Sequence, residues 1–287
     1  MPPLKLLCLH GYTQSGPLFH AKSRALIKHL TKALQPTHAV TSVYPTGPIH
    51  LDPADIPGYE PSSTTEGGST DASSTDAYGW FRRSNTANPP LYSGLEDGLE
   101  AIAKVLTDEG PFDAVIGFSQ GAAMAAIVAS LLETGRGQNL ERFLDAGVAC
   151  QGTEFTGVPG FKVPGVWDEV RKVQPALRFA VCYSGFRAPG PRYRGFYEPG
   201  VSTPVLHVLG SLDAVVEESR SRALVDACVG NPEEEDRVVF HPGGHFVPSQ
   251  RPYLDAVVRF VKETLAGDEA EKKGVMDEDV NDMDLPF

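Results

Sequence analysis

Ser119 stands between Gly117 and Gly121 in the stretch VIGFSQGAAMAA, a Gly-x-Ser-x-Gly spacing. That spacing suits a tight turn from a strand into a helix, with the serine hydroxyl exposed at the tip. A hydroxyl is a weak nucleophile at neutral pH, and it needs a base within hydrogen-bond reach that is itself oriented by an acid. With 29 glycines in 287 residues so short a pattern can arise by accident, so its meaning rests on whether the chain supplies both partners.

Three histidines lie downstream. His207 falls inside an expected strand and His241 at the end of one, whereas His245 occupies the glycine-rich turn HPGGHF and is the preferred base. For the acid, Asp213 sits in the loop GSLDAVV, just after the apolar run PVLHVLG. Asp226 falls in an expected helix, and Asp236 ends the acidic run from Glu233, which reads as a solvated connection. Taken singly, Asp213 is an ordinary turn carboxylate and His245 an ordinary loop histidine. Together with Ser119 they give the order Ser, Asp, His, each at the end of its own expected strand. Two backbone amides could hold the oxyanion of a tetrahedral intermediate: that of Gln120, opening the helix after the serine, and that of Tyr12 in LHGYTQSG. His10 precedes the serine and reads as structural in its turn. Trp80, Phe118, Phe186 and Phe246 neighbour these loops and would favour an apolar acyl group, although each suits the core equally well.

The elements that would position these residues follow from periodicity. Leu4–Leu9 and Ala39–Tyr44 read as strands around a helix from about Pro17 to Leu34, a β-α-β opening. Leu95–Leu106 has a helical apolar face and stops at Gly110-Pro111. Phe112–Gly117 is a strand, and Gly121–Leu132 is a helix so apolar that it must be buried. Arg178–Ser184, Pro204–Leu209 and Arg237–His241 supply further strands, with helices expected over Glu217–Val229 and Pro252–Leu265. The segment from Phe155 to Gln174 carries no clear pattern. Such alternation predicts an α/β fold with a mostly parallel central sheet and helices on both faces.

Residues 1–266 are expected to form one domain, interrupted near 61–77 by a Ser/Thr/Gly-rich insertion with the character of a mobile surface loop. The aromatic group Tyr78, Trp80 and Phe81 closes that insertion, either anchoring it to the body or walling the substrate pocket. Residues 267–287 hold eight acids and two lysines, half of the net charge of −12, and read as a disordered acidic tail. The negative balance argues against nucleic acid or an anionic membrane as partner. No apolar run approaches a membrane span, and a signal peptide is not recognisable at the amino end, so a cytoplasmic or nuclear setting is expected. Cys8, Cys150, Cys182 and Cys228 are widely spaced and read as buried free thiols. Without H-E-x-x-H, a P-loop or a strand-borne G-x-G-x-x-G, neither a metal nor any other cofactor is expected.

Five segments in order, LHGYTQSG, GPFDAVIGFSQGAAMAA, FAVCYSGFR, VLHVLGSLDAVV and HPGGHFVP, resemble the fungal family of serine hydrolases that includes an ovarian-tumour candidate hydrolase. The resemblance spans most of Leu4–Leu265. It implies an α/β-hydrolase fold and a cofactor-free ester or thioester hydrolase with Ser119, Asp213 and His245 as its triad. Three readings stay open: an ester hydrolase, a thioesterase or acyltransferase releasing an acyl or polyketide chain from a carrier protein, and a binding module on a hydrolase scaffold. The insertion and the tail depart from the family pattern and leave lid shape and substrate range undetermined, and the oligomeric state is not readable from the sequence.

Overall fold

The computed structural model describes residues 1–52, 76–84, 86–145 and 159–281. Six parallel strands form the central sheet: β1 (Pro3–Leu9), β2 (Ala39–Val43), β7 (Ala114–Phe118), β8 (Phe179–Tyr183), β9 (Val205–Gly210) and β10 (Val238–His241), in spatial order β10-β9-β8-β7-β1-β2. The four middle strands are buried on both sides, and their side chains divide by the period of two that a pleated strand imposes. Leu4, Leu6, Cys8, Ile116, Phe118 and Val181 enter one apolar cluster, while Leu7, Leu9, Val115, Ala180 and Cys182 enter the other.

The first cluster is covered by α1 (Gly16–Leu34) and α7 (Arg251–Asn281), through Phe19, Leu26, Leu30, Val257 and Val261. The second is covered by α2 (Leu95–Glu109), α3 (Gln120–Leu131), α5 (Trp167–Val173) and α6 (Glu218–Val225). Every residue of α3 is buried, as its uncharged sequence requires. The start of α1 is set by Ser15, whose hydroxyl accepts from the Leu18 amide, and by Pro17 in the first turn. Gly110 ends α2, its amide donating to the Leu106 carbonyl.

Two short antiparallel pairs brace the chain over the carboxyl edge of the sheet: β3 (Ile49–His50) with β4 (Tyr78–Gly79), and β5 (Arg82–Arg83) with β6 (Tyr92–Ser93). These pairs and a 3-10 turn over Pro191–Phe196 have no clear periodic signal in the sequence, whereas the helix α4 (Arg136–Asp145), absent from the expected elements, carries Leu140, Phe143 and Leu144 at helical spacing. Helix α5 falls in the segment for which the sequence gives no pattern. The expected insertion lies outside the described residues apart from Asp76 and Ala77. Residues 267–281 continue α7 as helix, so the boundary after Ala266 is not a break in backbone structure. Low apolar content argues against burial of that segment but not against local helix formation, which its Glu, Ala and Lys favour. Asp268 is tied to the body by Arg178.

Strand β1 has β2 on one side and β7 on the other, and the chain therefore leaves β1 and β7 toward opposite faces, to α1 and α3. Loops diverge at such a switch point and leave a crevice beyond the carboxyl ends of the strands. Tyr12 follows β1 and Ser119 follows β7, which places both at that crevice.

Candidate active site

Ser119 occupies the single-residue turn between β7 and α3, with φ 53° and ψ −117°. This is a strained conformation for a residue with a side chain, costing about 1–3 kcal/mol, and it persists only where the surroundings enforce it. Here the Ser119 amide donates to the Tyr183 carbonyl at 2.8 Å, and its carbonyl accepts from Ala122 and Ala123. The flanking glycines are required by close approach. A Cβ on Gly121 would lie 2.1 Å from the Leu9 carbonyl oxygen, and one on Gly117 would lie 2.2 Å from that of Gly121.

Asp213 and His245 meet at the same edge. Their loops follow β9 and β10, which pair in parallel, and Asp213 Oδ2 lies 2.8 Å from His245 Nδ1. The other carboxylate oxygen accepts from the amides of Val215 and Val216, both at 2.9 Å. Burial pushes the Asp213 carboxyl up, but the hydrogen bonds from His245 and Val216 outweigh it and hold it below the usual carboxylate range. An ionised Asp213 fixes a proton on Nδ1 and leaves Nε2 as the nitrogen that can take one. The His245 ring rests on that of Phe118, the neighbour of Ser119, at 4.8 Å between centroids.

The loop after β1 brings Tyr12 beside this elbow. Thr13 takes a left-handed φ of 64°, and its amide donates to the Tyr78 carbonyl. His10 anchors the loop's base: Nδ1 donates to the Gly11 carbonyl and Nε2 accepts from the Gly47 amide, both at 2.8 Å. That arrangement needs the neutral ring, and burial pushes its pKa down to about 4. His10 is therefore structural. The Gln120 amide sits in the first turn of α3, where no carbonyl of the same helix can reach it and where the helix dipole favours negative charge. The Gln120 side chain is engaged separately, accepting from the Trp80 amide and donating to the Phe81 carbonyl.

A cavity of about 270 Å³ opens at Ser119, lined by Tyr12, Phe81, Arg83, Tyr92, Ser119, Gln120, Phe186, Val215, Val216 and Arg220. Of the four aromatic residues expected at the pocket, Phe186 lines it and the other three do not. Trp80 is fully buried, its indole N–H donating to the His10 carbonyl, so it braces the loop after β1 from beneath. Phe118 is also buried and supports His245. Phe246 is 43% exposed and packs on His241 instead. The aromatic group closing the insertion divides its duties: Trp80 anchors and Phe81 forms wall. Tyr92, Val215, Val216, Arg83 and Arg220 were missed. Val215 and Val216 follow Asp213 directly, which was the one available signal; the others reach the cavity through tertiary packing alone.

The remaining expectations are simpler. Cys8, Cys182 and Cys228 are buried free thiols, and burial raises the pKa of each, to about 12 for Cys8 and Cys228, which makes them inert. Cys150 lies outside the described residues. His207 is buried in β9, with its pKa pushed down to about 3. Among the described residues no helix is long and apolar enough to cross a membrane.

The model of the family described as "Serine hydrolase (FSH1)" matches residues 1–257. The chain is 33% identical to zebrafish (Danio rerio) "Esterase OVCA2" over 270 residues, 90% of this chain and 98% of that one. It is 29% identical to "Family of serine hydrolases 3" of Saccharomyces cerevisiae, over 98% of this chain and 92% of that one. A Schizosaccharomyces pombe protein named "Dihydrofolate reductase" is 33% identical over 90% of this chain, but the match spans only 47% of its length. Among solved structures, Zea mays acyl-protein thioesterase 2 superposes with a TM-score of 0.53 at 18% identity, covering 92% of this chain and 95% of that one, a likeness of fold.

Proposed function

This chain belongs to the serine hydrolase (FSH1) family, and from that premise we propose that it hydrolyses esters of apolar acyl groups through an acyl-enzyme on Ser119. The observation that carries the assignment of residues is the 2.8 Å contact between His245 Nδ1 and Asp213 Oδ2 at the edge where the elbow presents Ser119.

His245 Nε2 removes the Ser119 proton as the hydroxyl attacks the acyl carbonyl, and Asp213 stabilises the imidazolium that forms. The Tyr12 and Gln120 amides hold the oxyanion of the tetrahedral intermediate. The proton passes to the leaving oxygen, and water, activated by the same histidine, then releases the acid. Phe81, Tyr92, Phe186, Val215 and Val216 supply the apolar surface along which the acyl chain lies. A thioester gives the same acyl-enzyme, so a substrate carried on a thiol, free or on a carrier protein, falls within this reading.

Covalent labelling by a fluorophosphonate probe tests it. Wild type is expected to label and Ser119→Ala not to. Asp213→Asn, which leaves the carboxylate's place but selects the wrong imidazole tautomer, should lower kcat by about 10⁴. Equal labelling of Ser119→Ala, or an undiminished Asp213→Asn, would remove these residues from the mechanism. Paired oxygen and thiol esters of one acyl group then decide between ester and thioester.

A further inference from the structure

Two arginines of this protein differ from most of the rest. Arg136, Arg171, Arg178, Arg194, Arg222 and Arg237 each face a carboxylate within 4.0 Å. Arg83 and Arg220 have no carboxylate partner among the described residues, and both line the cavity that opens at Ser119. In a chain with 37 acidic and 25 basic residues, two unpaired guanidiniums at one cavity are not what charge balance alone would produce.

Their surroundings fix them for use. The Arg220 guanidinium lies over the Phe186 ring, 4.3 Å from its centroid, with the Tyr92 hydroxyl beside it. Arg83 sits on β5, paired in register with Tyr92 on β6. Tyr92 provides a second, independent observation. It is only 4% exposed, its buried hydroxyl makes no close hydrogen bond but has the Arg220 guanidinium beside it, and it too lines the cavity. A buried hydroxyl without a close partner costs about 1–3 kcal/mol, and at a cavity wall it can recover that by bonding to what enters the cavity. Burial raises the Tyr92 pKa, so the hydroxyl stays protonated and is a donor. Two guanidiniums and one phenol O–H therefore line one cavity together with Phe81, Phe186, Val215 and Val216, and no carboxylate is among its lining residues.

Resting on the hydrolase reading above, we propose that this site selects substrates that carry an anionic group, carboxylate or phosphate, received by Arg83, Arg220 and the Tyr92 hydroxyl while the scissile carbonyl lies at Ser119. A planar guanidinium meets either oxyanion with two parallel N–H donors. Apolar walls strengthen the attraction relative to open water. The substrate is thus an acyl ester or thioester whose apolar portion spans Phe81, Phe186 and Val216, with an anion at its far end or on its leaving group.

Two substrate pairs separate the sources of the anion. 4-Nitrophenyl hydrogen adipate against 4-nitrophenyl hexanoate places a carboxylate on the acyl chain; butyryl-coenzyme A against the butyryl thioester of N-acetylcysteamine places phosphate on the leaving group. In at least one pair the wild type should favour the anionic member by about tenfold in kcat/KM. In Arg83→Gln/Arg220→Gln the ratio should fall toward one, chiefly through KM, Arg220→Lys should recover part of it, and Tyr92→Phe should reduce it less. The ratio is independent of the fraction folded, and fluorophosphonate labelling reports the intact elbow. A wild type that labels and turns over the neutral members without preferring either anionic one overturns this inference and leaves the hydrolase intact. A preference that survives the double substitution overturns the assignment to these arginines. Absence of both labelling and turnover would instead remove the hydrolase reading and this one with it.

Discussion

The side-chain amide of Gln120 is hydrogen-bonded in both directions to the segment at Trp80: its oxygen accepts from the Trp80 amide and its nitrogen donates to the Phe81 carbonyl, each at 2.7 Å. The residue that follows Ser119 therefore also holds the cavity wall. Replacing Gln120 by Ala keeps the backbone donor but leaves a buried N–H and a buried C=O without partners. The expected loss is about 1–3 kcal/mol for each group left unpaired, read as a lower urea midpoint, with kcat/KM falling as Phe81 loosens. Unchanged stability and unchanged kcat/KM would show that the clamp contributes nothing.

Gly121→Ala tests the packing of the elbow. The added methyl would meet the carbonyl oxygens of Leu9 and His10 at 2.1 Å and 2.4 Å, backbone atoms that cannot rotate away. Destabilisation of at least about 1–3 kcal/mol is expected. Gly165→Ala is the control, because nothing lies within 4 Å of its added Cβ. Equal urea midpoints for the two variants would contradict the account of why glycine stands at position 121.

Acid sensitivity should trace in part to His10. Its folded-state pKa of about 4 lies below the ordinary imidazole value of 6.5, so the unfolded chain binds more protons between these values. The contribution of the neutral ring is complete above pH 6.5 and is lost as pH falls through about 4, amounting to about 3 kcal/mol at most. His10→Gln should be less stable at neutral pH yet show a flatter decline from pH 6.5 to 4 in urea titrations. An imidazole resonance of His10 that titrates near pH 6.5 would refute the assignment.

Much of the fold was legible because the signals are local. Six sheet strands and the helices after β1, β7 and β9 show in runs of 4 to 19 residues, since burial on two faces demands continuous apolar strands and α3 is uncharged throughout. The short pairs β3/β4 and β5/β6 were not legible, because two-residue strands have no periodicity and exist only where loops are pressed together.

The site divides in the same way. Gly117, Ser119, Gly121, Asp213 and His245 could be found in the sequence because each follows an expected strand, and parallel strands deliver their ends to one edge whatever the loops between them do. The cavity was decided by tertiary structure. Whether an aromatic side chain meets substrate or core depends on which way its loop turns, and that is set by distant partners: the Trp80 indole is drawn inward by the His10 carbonyl, and the Phe81 backbone is held by Gln120. Sequence placed Ser119, Asp213 and His245 because strand order is a one-dimensional property; the charge and shape of the cavity beside Ser119 arose only when Arg83, Tyr92 and Arg220, far apart in the chain, were packed around one space.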